Sequence, residues 1–184
     1  MTNISISEEI ATACPDLHVL VLSCDVCNSE PDERLWQEIA DEEKAVRETV
    51  KLEQINKWLP IQATRQAYKR LGKDPNRYRP SSEALRRRIL RELPLYKVDT
   101  LVDLINLVSI RSGYSIGGFD ADKIAGGSLV LGVGREGEIY HGIGRGELNI
   151  AGLPVYRDAV GGVGTPTSDE ERTKIGLDTT HLLM

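Results

Sequence analysis

The chain has 184 residues, is 40% hydrophobic and 28% charged, and carries a net charge of −5. Its length suits one domain that can bury roughly two-thirds of its unfolded surface without disulfide or metal staples. The sequence excludes an apolar run of about 20 residues long enough to span a membrane, and its acidity argues against a general nucleic-acid coat. The opening residues, MTNISISEEI, lack the basic-then-apolar pattern of a secretory signal, so a cytoplasmic location is expected.

In chain order, His18–Ser23 (HVLVLS) reads as a strand between Pro15 and a polar stretch. Cys24 and Cys27 form one CxxC. With Cys14 the only other cysteine and His18, His141 and His181 scattered, no metal or cofactor is expected; the pair reads as buried or incidental, with a redox or metal role as the alternative. From Ser29 to Leu59, an apolar stripe of Leu35, Ile39, Val46, Val50 and Leu52 among charges predicts one or two long surface helices. Pro31 stands near their start and Pro60 at their end. A short basic helix is expected over Ile61–Leu71, closed by Gly72. After a turn-rich connector, Ser81 or Ser82 should cap a third helix that Pro94 stops. Thr100 opens a fourth, with Asp103 completing a capping box and Gly113 at its end. The second half changes character. Short β-branched runs punctuated by glycine (SLVLGVG, EIYHGIG, LPVYRDAV) predict strands, the first two joined as a hairpin through REGE. Helices and strands segregate, so the expected class is α+β, a helical N-terminal half on a mixed or antiparallel sheet. Residues 1–62 are expected to supply a strand and acidic helices to the same domain as residues 63–184.

Charge is divided unevenly. Residues 30–53 carry nine acids against four bases; residues 65–91 carry ten bases against Asp74 and Glu83. Arg65, Lys69, Arg70, Lys73, Arg77, Arg79, Arg86 and Arg87, interleaved with Tyr68 and Tyr78, suit a polyanion, guanidinium to phosphate and ring to base. The alternative is a solvated helix face paired with the acidic 30–53 region. VGGVGTPTSDEERT (Val160–Thr173) offers backbone donors and hydroxyls, Thr165 among them, to a carbonyl or a ribose. Alternatively, Ser168 caps a short helix with Glu171 as its reciprocal acceptor. The other glycine clusters lack the following helix that a dinucleotide site needs. Asp120, Asp122 and Asp158 read as surface acids, with a cation site as the alternative. No Ser-His-Asp set is legible, and the catalytic residues are not assigned.

Two longer stretches carry a resemblance: VDTLVDLINLVSIRSGYSIGGFDADKI and GEIYHGIGRGELNIAGLPVYRDAVGGVGTPTSDEERT. Their words, in this order and spacing, resemble the tRNA-binding and editing domain of the phenylalanyl-tRNA synthetase β-subunit, and more closely the free-standing proteins built from that domain. The resemblance covers roughly residues 63–184. It implies an α+β fold and a pocket that hydrolyses tyrosine wrongly attached to the phenylalanine tRNA. Asn106 would line that pocket, Gly161 and Gly162 would form a wall for the aminoacyl group, and Gly118-Phe119-Asp120 would close the site. Gly117 stands where the synthetases carry a histidine, which enlarges the pocket and removes a proton carrier. The family's acidic residue that reads the tyrosine hydroxyl falls near or beyond Met184.

Three functions follow as expectations. The first is a tRNA-binding factor that holds or hydrolyses an aminoacyl ester. The second is a non-catalytic module for an amino acid or related metabolite. The third is a different small-molecule enzyme using the same pocket.

Overall fold

A computed structural model describes residues 2–184. Three sheets organise it. The largest has the order β1 (Asn3–Ile6), β4 (Ser128–Val133), β7 (Pro154–Arg157), β8 (Gly162–Gly164), with β1 parallel to β4 and the other pairs antiparallel. The second has β9 (His181–Leu183) between β2 (Ser23–Asp25) and β3 (Phe119–Asp120), all antiparallel. The third is a two-stranded ribbon of β5 (His141–Gly142) and β6 (Gly146–Glu147). The helices are α1 (Glu8–Ala13), α2 (Glu33–Thr49), α3 (Leu59–Arg70), α4 (Ser81–Leu90) and α5 (Thr100–Ser112), with a 3-10 turn at Leu52–Lys57. The class is α+β with mixed and antiparallel sheets, as the segregation of helix and strand signals predicts. Residues before 63 supply a strand to each of the two larger sheets.

The core divides into adjoining clusters. Phe119, Leu129, Val163 and Leu183 join the two larger sheets. Tyr68 of α3 packs with Tyr140, Ile150, Leu153 and Val155. Val46 of α2, Ile89 of α4 and Ile110 of α5 form the helical cluster. Burial of each such side chain contributes about 1.5–3 kcal/mol. Asp103 ties α2 to α5, its Oδ2 accepting from the Trp36 indole at 2.6 Å. Gly113 closes α5 in a left-handed conformation, φ 79°. A methyl there would also lie 2.6 Å from the Trp58 ring, so both backbone and packing demand glycine.

Several expectations need correction. Residues 18–21 are not a strand: β2 begins at Ser23, and only Leu22 adds to it, exchanging hydrogen bonds with Met184 at 2.7 and 2.9 Å. Their β-branched character finds no partner strand in this structure, and Leu20 stays 83% exposed. Arg135–Glu138 does not join a hairpin. β4 pairs with β7, and the chain between them makes an excursion that includes the small ribbon. Pro60 does not end the acidic region so much as open α3, whose first turn it occupies. The serines do not cap α4: its N-cap is Pro80, without a side-chain bond, and the Ser81 amide donates to Pro166 O instead. α4 ends at Leu90, four residues before Pro94. The cap of α5 is Asp99, which accepts from Val102 N, while Asp103 accepts from Val98 N outside the helix. Ser168 caps nothing. Glu170 caps the following 3-10 turn. Cys24 and Cys27 are exposed free thiols rather than buried ones.

Candidate functional site

The strand β8 is three residues long and has a tight loop at each end. At its start, Asp158 holds the loop. Its carboxylate accepts from the Ala125, Val160 and Gly161 amides at 2.8–3.0 Å and pairs with Arg172 at 2.8 Å. Burial would raise this acid, but Arg172 and the three amides outweigh it and hold the pKa at about 2. Gly161 faces open space: a methyl there meets nothing within 4 Å. Gly162 faces inward, and a methyl would lie 2.9 Å from the Tyr140 ring. Of the two glycines expected to form a wall, one borders solvent and the other packs on the protein's own core.

At the far end of β8 the chain turns sharply through residues 165–168. The Thr165 hydroxyl is the clasp: it donates to Ser168 O at 2.9 Å and accepts from the Thr167 and Ser168 amides. That engagement leaves it a structural part of the loop. Thr167 bonds the buried Tyr68 hydroxyl of α3 at 2.9 Å, and Tyr140 donates to Ser168 O at 2.7 Å. The chain then returns antiparallel, with Asp169 bridged to Gly164 and Glu170 to Gly142.

This return places Asp169 against the opening stretch of β3. Its Oδ2 accepts from the Gly118 amide at 3.3 Å. A methyl on Gly164 would lie 2.9 Å from Oδ1 and 2.5 Å from Phe119 Cζ; one on Gly117 would lie 3.5 Å from Oδ1 and 2.7 Å from the same ring atom. Gly118 is crowded on its other side by Ile105 of α5 and Ile175, at 2.7 and 2.9 Å. The glycines at 117, 118 and 164 thus make room for a carboxyl and a ring. Burial raises the Asp169 pKa from its ordinary 3.8 to about 7, against the one amide that lowers it. Asn106 follows Ile105 on α5 and is half-buried.

The sequence-predicted glycines therefore fall into two groups at either end of β8, whose ends lie about 7 Å apart at about 3.3 Å per residue. Asp169 and Gly164 were missed. No local pattern announces an acid that folds back beneath a glycine pair 51 positions earlier. Asp120 and Asp122 do not join it. Asp120 pairs with Lys123 and accepts from Thr179, both at 2.9 Å, and Asp122 meets His181 at 2.7 Å. Among the described residues no group of three or more His, Cys, Asp or Glu side chains could hold a metal ion.

The cationic residues divide by what occupies them. Glu83 is fully buried and takes Arg65 and Arg87, each at 2.8 Å. Arg86 is buried, donates twice to Ile110 O at the end of α5, and stacks 3.6 Å from the Trp58 ring centre. Lys73 donates to Asn149 O and Ala151 O, and lies over Tyr78. These four hold the fold together. Lys69, Arg70, Arg77 and Arg79 are exposed, Arg70 with one bond to Ala13 O and Arg79 at 4.0 Å from Glu83. The acids of residues 30–53 pair elsewhere: Glu38 and Glu42 with Arg111, Glu43 with Arg47. Among the described residues no ion pair joins the basic segment to these acids, though the Glu42 charge acts on Arg86.

Two of the exposed cations neighbour, along the chain, residues bonded to the 165–168 turn. Arg79 stands two residues before Ser81, whose amide meets Pro166 O at 2.7 Å, and Lys69 follows Tyr68, which holds Thr167. Two grooves, of about 550 and 560 Å³, lie elsewhere, one over the outer face of β4 and β7, the other between α2, Trp58 and Arg86. No helix among the described residues is long and apolar enough to cross a membrane. No curated relative matches the chain. Residues 63–184 match the family model of the B3/4 domain, and these residues span every element of the site. The chain belongs to the B3/4 domain family, the family found in the phenylalanyl-tRNA synthetase β-subunit.

Proposed function

We propose that this chain binds the acceptor end of a tRNA and hydrolyses an amino acid wrongly esterified to it. Lys69, Arg70, Arg77 and Arg79 take the phosphates. Asn106, Gly117, Gly118 and Gly161 border the space for the aminoacyl group. Arg65, Lys73, Arg86, Arg87, Gly162 and Thr165 act behind that surface, fixing the helices and loops that form it.

The observation that carries the reading is the joint between cationic edge and cleft: Ser81 N to Pro166 O at 2.7 Å and Tyr68 to Thr167 at 2.9 Å. Through these bonds the connector bearing Arg77 and Arg79 is fixed beside the loop that carries Asp169. A phosphate strand lying on the connector has its 3′ end within reach of the cleft. Such contacts release counterions, so affinity should fall steeply with salt.

A filter-binding titration of tRNA at several salt concentrations tests this. Substituting Lys69, Arg77 and Arg79 together by Ala should weaken binding and flatten the logarithmic salt slope by about 2–3. Absence of tRNA binding at low salt, or a slope unchanged by the triple variant, refutes it.

A further inference from the structure

We propose that Asp169 is the general base of this site, its carboxylate taking the proton from the water that attacks the aminoacyl ester. The inference rests on the proposed hydrolytic function and names the group that performs it.

The geometry has four parts. The two oxygens of Asp169 are in different situations. Oδ2 is anchored by the Gly118 amide at 3.3 Å. Oδ1 accepts no hydrogen bond among the described residues. Yet it is not one of the buried orphan atoms, which are Asn56 Oδ1 and Thr173 Oγ1, so it touches solvent. One oxygen is therefore fixed and the other keeps its acceptor sites free, in contact with solvent.

Oδ1 packs closely against glycine backbone. Any side chain at 164 or 117 would reach within 2.9 or 3.5 Å of it. Both are glycine, which lets the carboxyl settle beside the Phe119 ring. The residue is held from behind as well. Its own carbonyl accepts from Ile143 N at 3.0 Å, and its β-bridge to Gly164 fixes the backbone. A base so placed loses little entropy on meeting its water.

No cation stands within 4 Å of it; the arginines nearby in sequence, Arg157 and Arg172, are turned to Glu138 and Asp158. The ionisable groups that face it are Tyr140, on the segment leading into β5, and Glu170 beside it. Tyr140 is raised first by burial and then by the charges of Asp169 and Glu170. From β3 the facing side chain is Phe119; the Asp120 carboxylate is turned away to Lys123 and Thr179. Burial without a counter-charge gives a carboxyl that ionises near pH 7, where general bases act best.

The step balances. Water oxygen bonds to the ester carbonyl carbon as its proton passes to Oδ1. The tetrahedral intermediate then expels the ribose oxygen, which takes that proton from the Asp169 carboxyl. The products are the free amino acid and the tRNA hydroxyl, with Asp169 ionised again.

Single-turnover deacylation of tyrosylated phenylalanine tRNA, measured from about pH 5 to about pH 8.5, tests it. The wild-type rate, corrected for hydroxide background, should rise through an inflection near 7 and level off. Asp169→Asn should lose about 10²–10⁴-fold in rate and keep its tRNA Kd within about twofold. A variant as fast as wild type overturns the base role while leaving the hydrolytic function standing. A wild type no faster than background overturns both, and tRNA binding alone survives. Should Asp169→Asn fail to fold, carbon-13 NMR of the wild-type aspartates decides: a carboxyl titrating near 7 supports the role, and none titrating above about 5 overturns it.

Discussion

Replacing Asp169 by Asn should alter the pH dependence of stability in a way no other single substitution here does. Burial raises its carboxyl from 3.8 to about 7. Between these values the native state holds a proton that the unfolded chain has released. Unfolding free energy from this group is therefore highest below about pH 4, declines as the pH rises toward 7, and is level above. At about 1.4 kcal/mol per tenfold change in proton affinity, the full difference is about 4 kcal/mol. The solvent contact of Oδ1 screens part of it, so about 2 kcal/mol is expected. Asparagine keeps an oxygen for the Gly118 amide and has no charge to bury. Wild type and variant should thus match in stability below about pH 4, with the variant about 0.8 kcal/mol more stable near pH 5 and about 2 kcal/mol more stable near pH 8. The acids Asp120, Asp158 and Glu138 have lowered pKa values and titrate below this window, identically in both proteins. Urea denaturation followed by circular dichroism at the two pH values gives the comparison. A difference that stays constant within about 0.5 kcal/mol would refute the assignment of a buried, uncompensated carboxyl.

Other substitutions separate scaffold from surface. Glu83→Ala strands Arg65 and Arg87, and should cost about 3–5 kcal/mol by denaturant unfolding. Gly161→Ala should leave stability within about 0.5 kcal/mol, because nothing lies within 4 Å, yet slow deacylation if an aminoacyl group rests there. Gly162→Ala, driven against Tyr140 at 2.9 Å, should instead cost about 1–3 kcal/mol. The His181 imidazole is raised above its ordinary 6.5, first by its hydrogen bond to Asp122 and then by that residue's charge. An NMR titration should show this, and Asp122→Asn should return it toward 6.5.

The parts of the fold legible in the sequence were those written in local periodicity. Leu101, Leu104, Ile105 and Val108 recur at helical spacing with Gly113 at the end, and α5 runs within a residue of those bounds. The caps were misplaced by one position because Asp99 and Thr100 are both good caps, and only tertiary contacts decide between them. Strand pairing was not legible. β4 finds β1 from the far N-terminus and β7 from beyond the ribbon, and neither partner is implied by the residues between. The same holds for the site. Gly117 and Gly118 form a pair without bulk, which leaves room for a close approach. What approaches is Asp169, brought by the return of a hairpin whose turn residues look like a helix cap. The basic segment was legible as charge but not as surface, since burial of Glu83 draws Arg65 and Arg87 inward and leaves Lys69, Arg77 and Arg79 outside.

The central claim is that one RNA strand can lie on the exposed cations and end in the glycine cleft. Titration of isotopically labelled protein with an acceptor-stem minihelix carrying an esterified amino acid, followed by amide chemical shifts, tests it most directly. The account predicts that Lys69, Arg77 and Arg79 and the amides of Gly117, Gly118, Gly161 and Asp169 shift together along one binding curve. Shifts confined to the cationic residues, with the cleft amides unmoved at saturation, would contradict it.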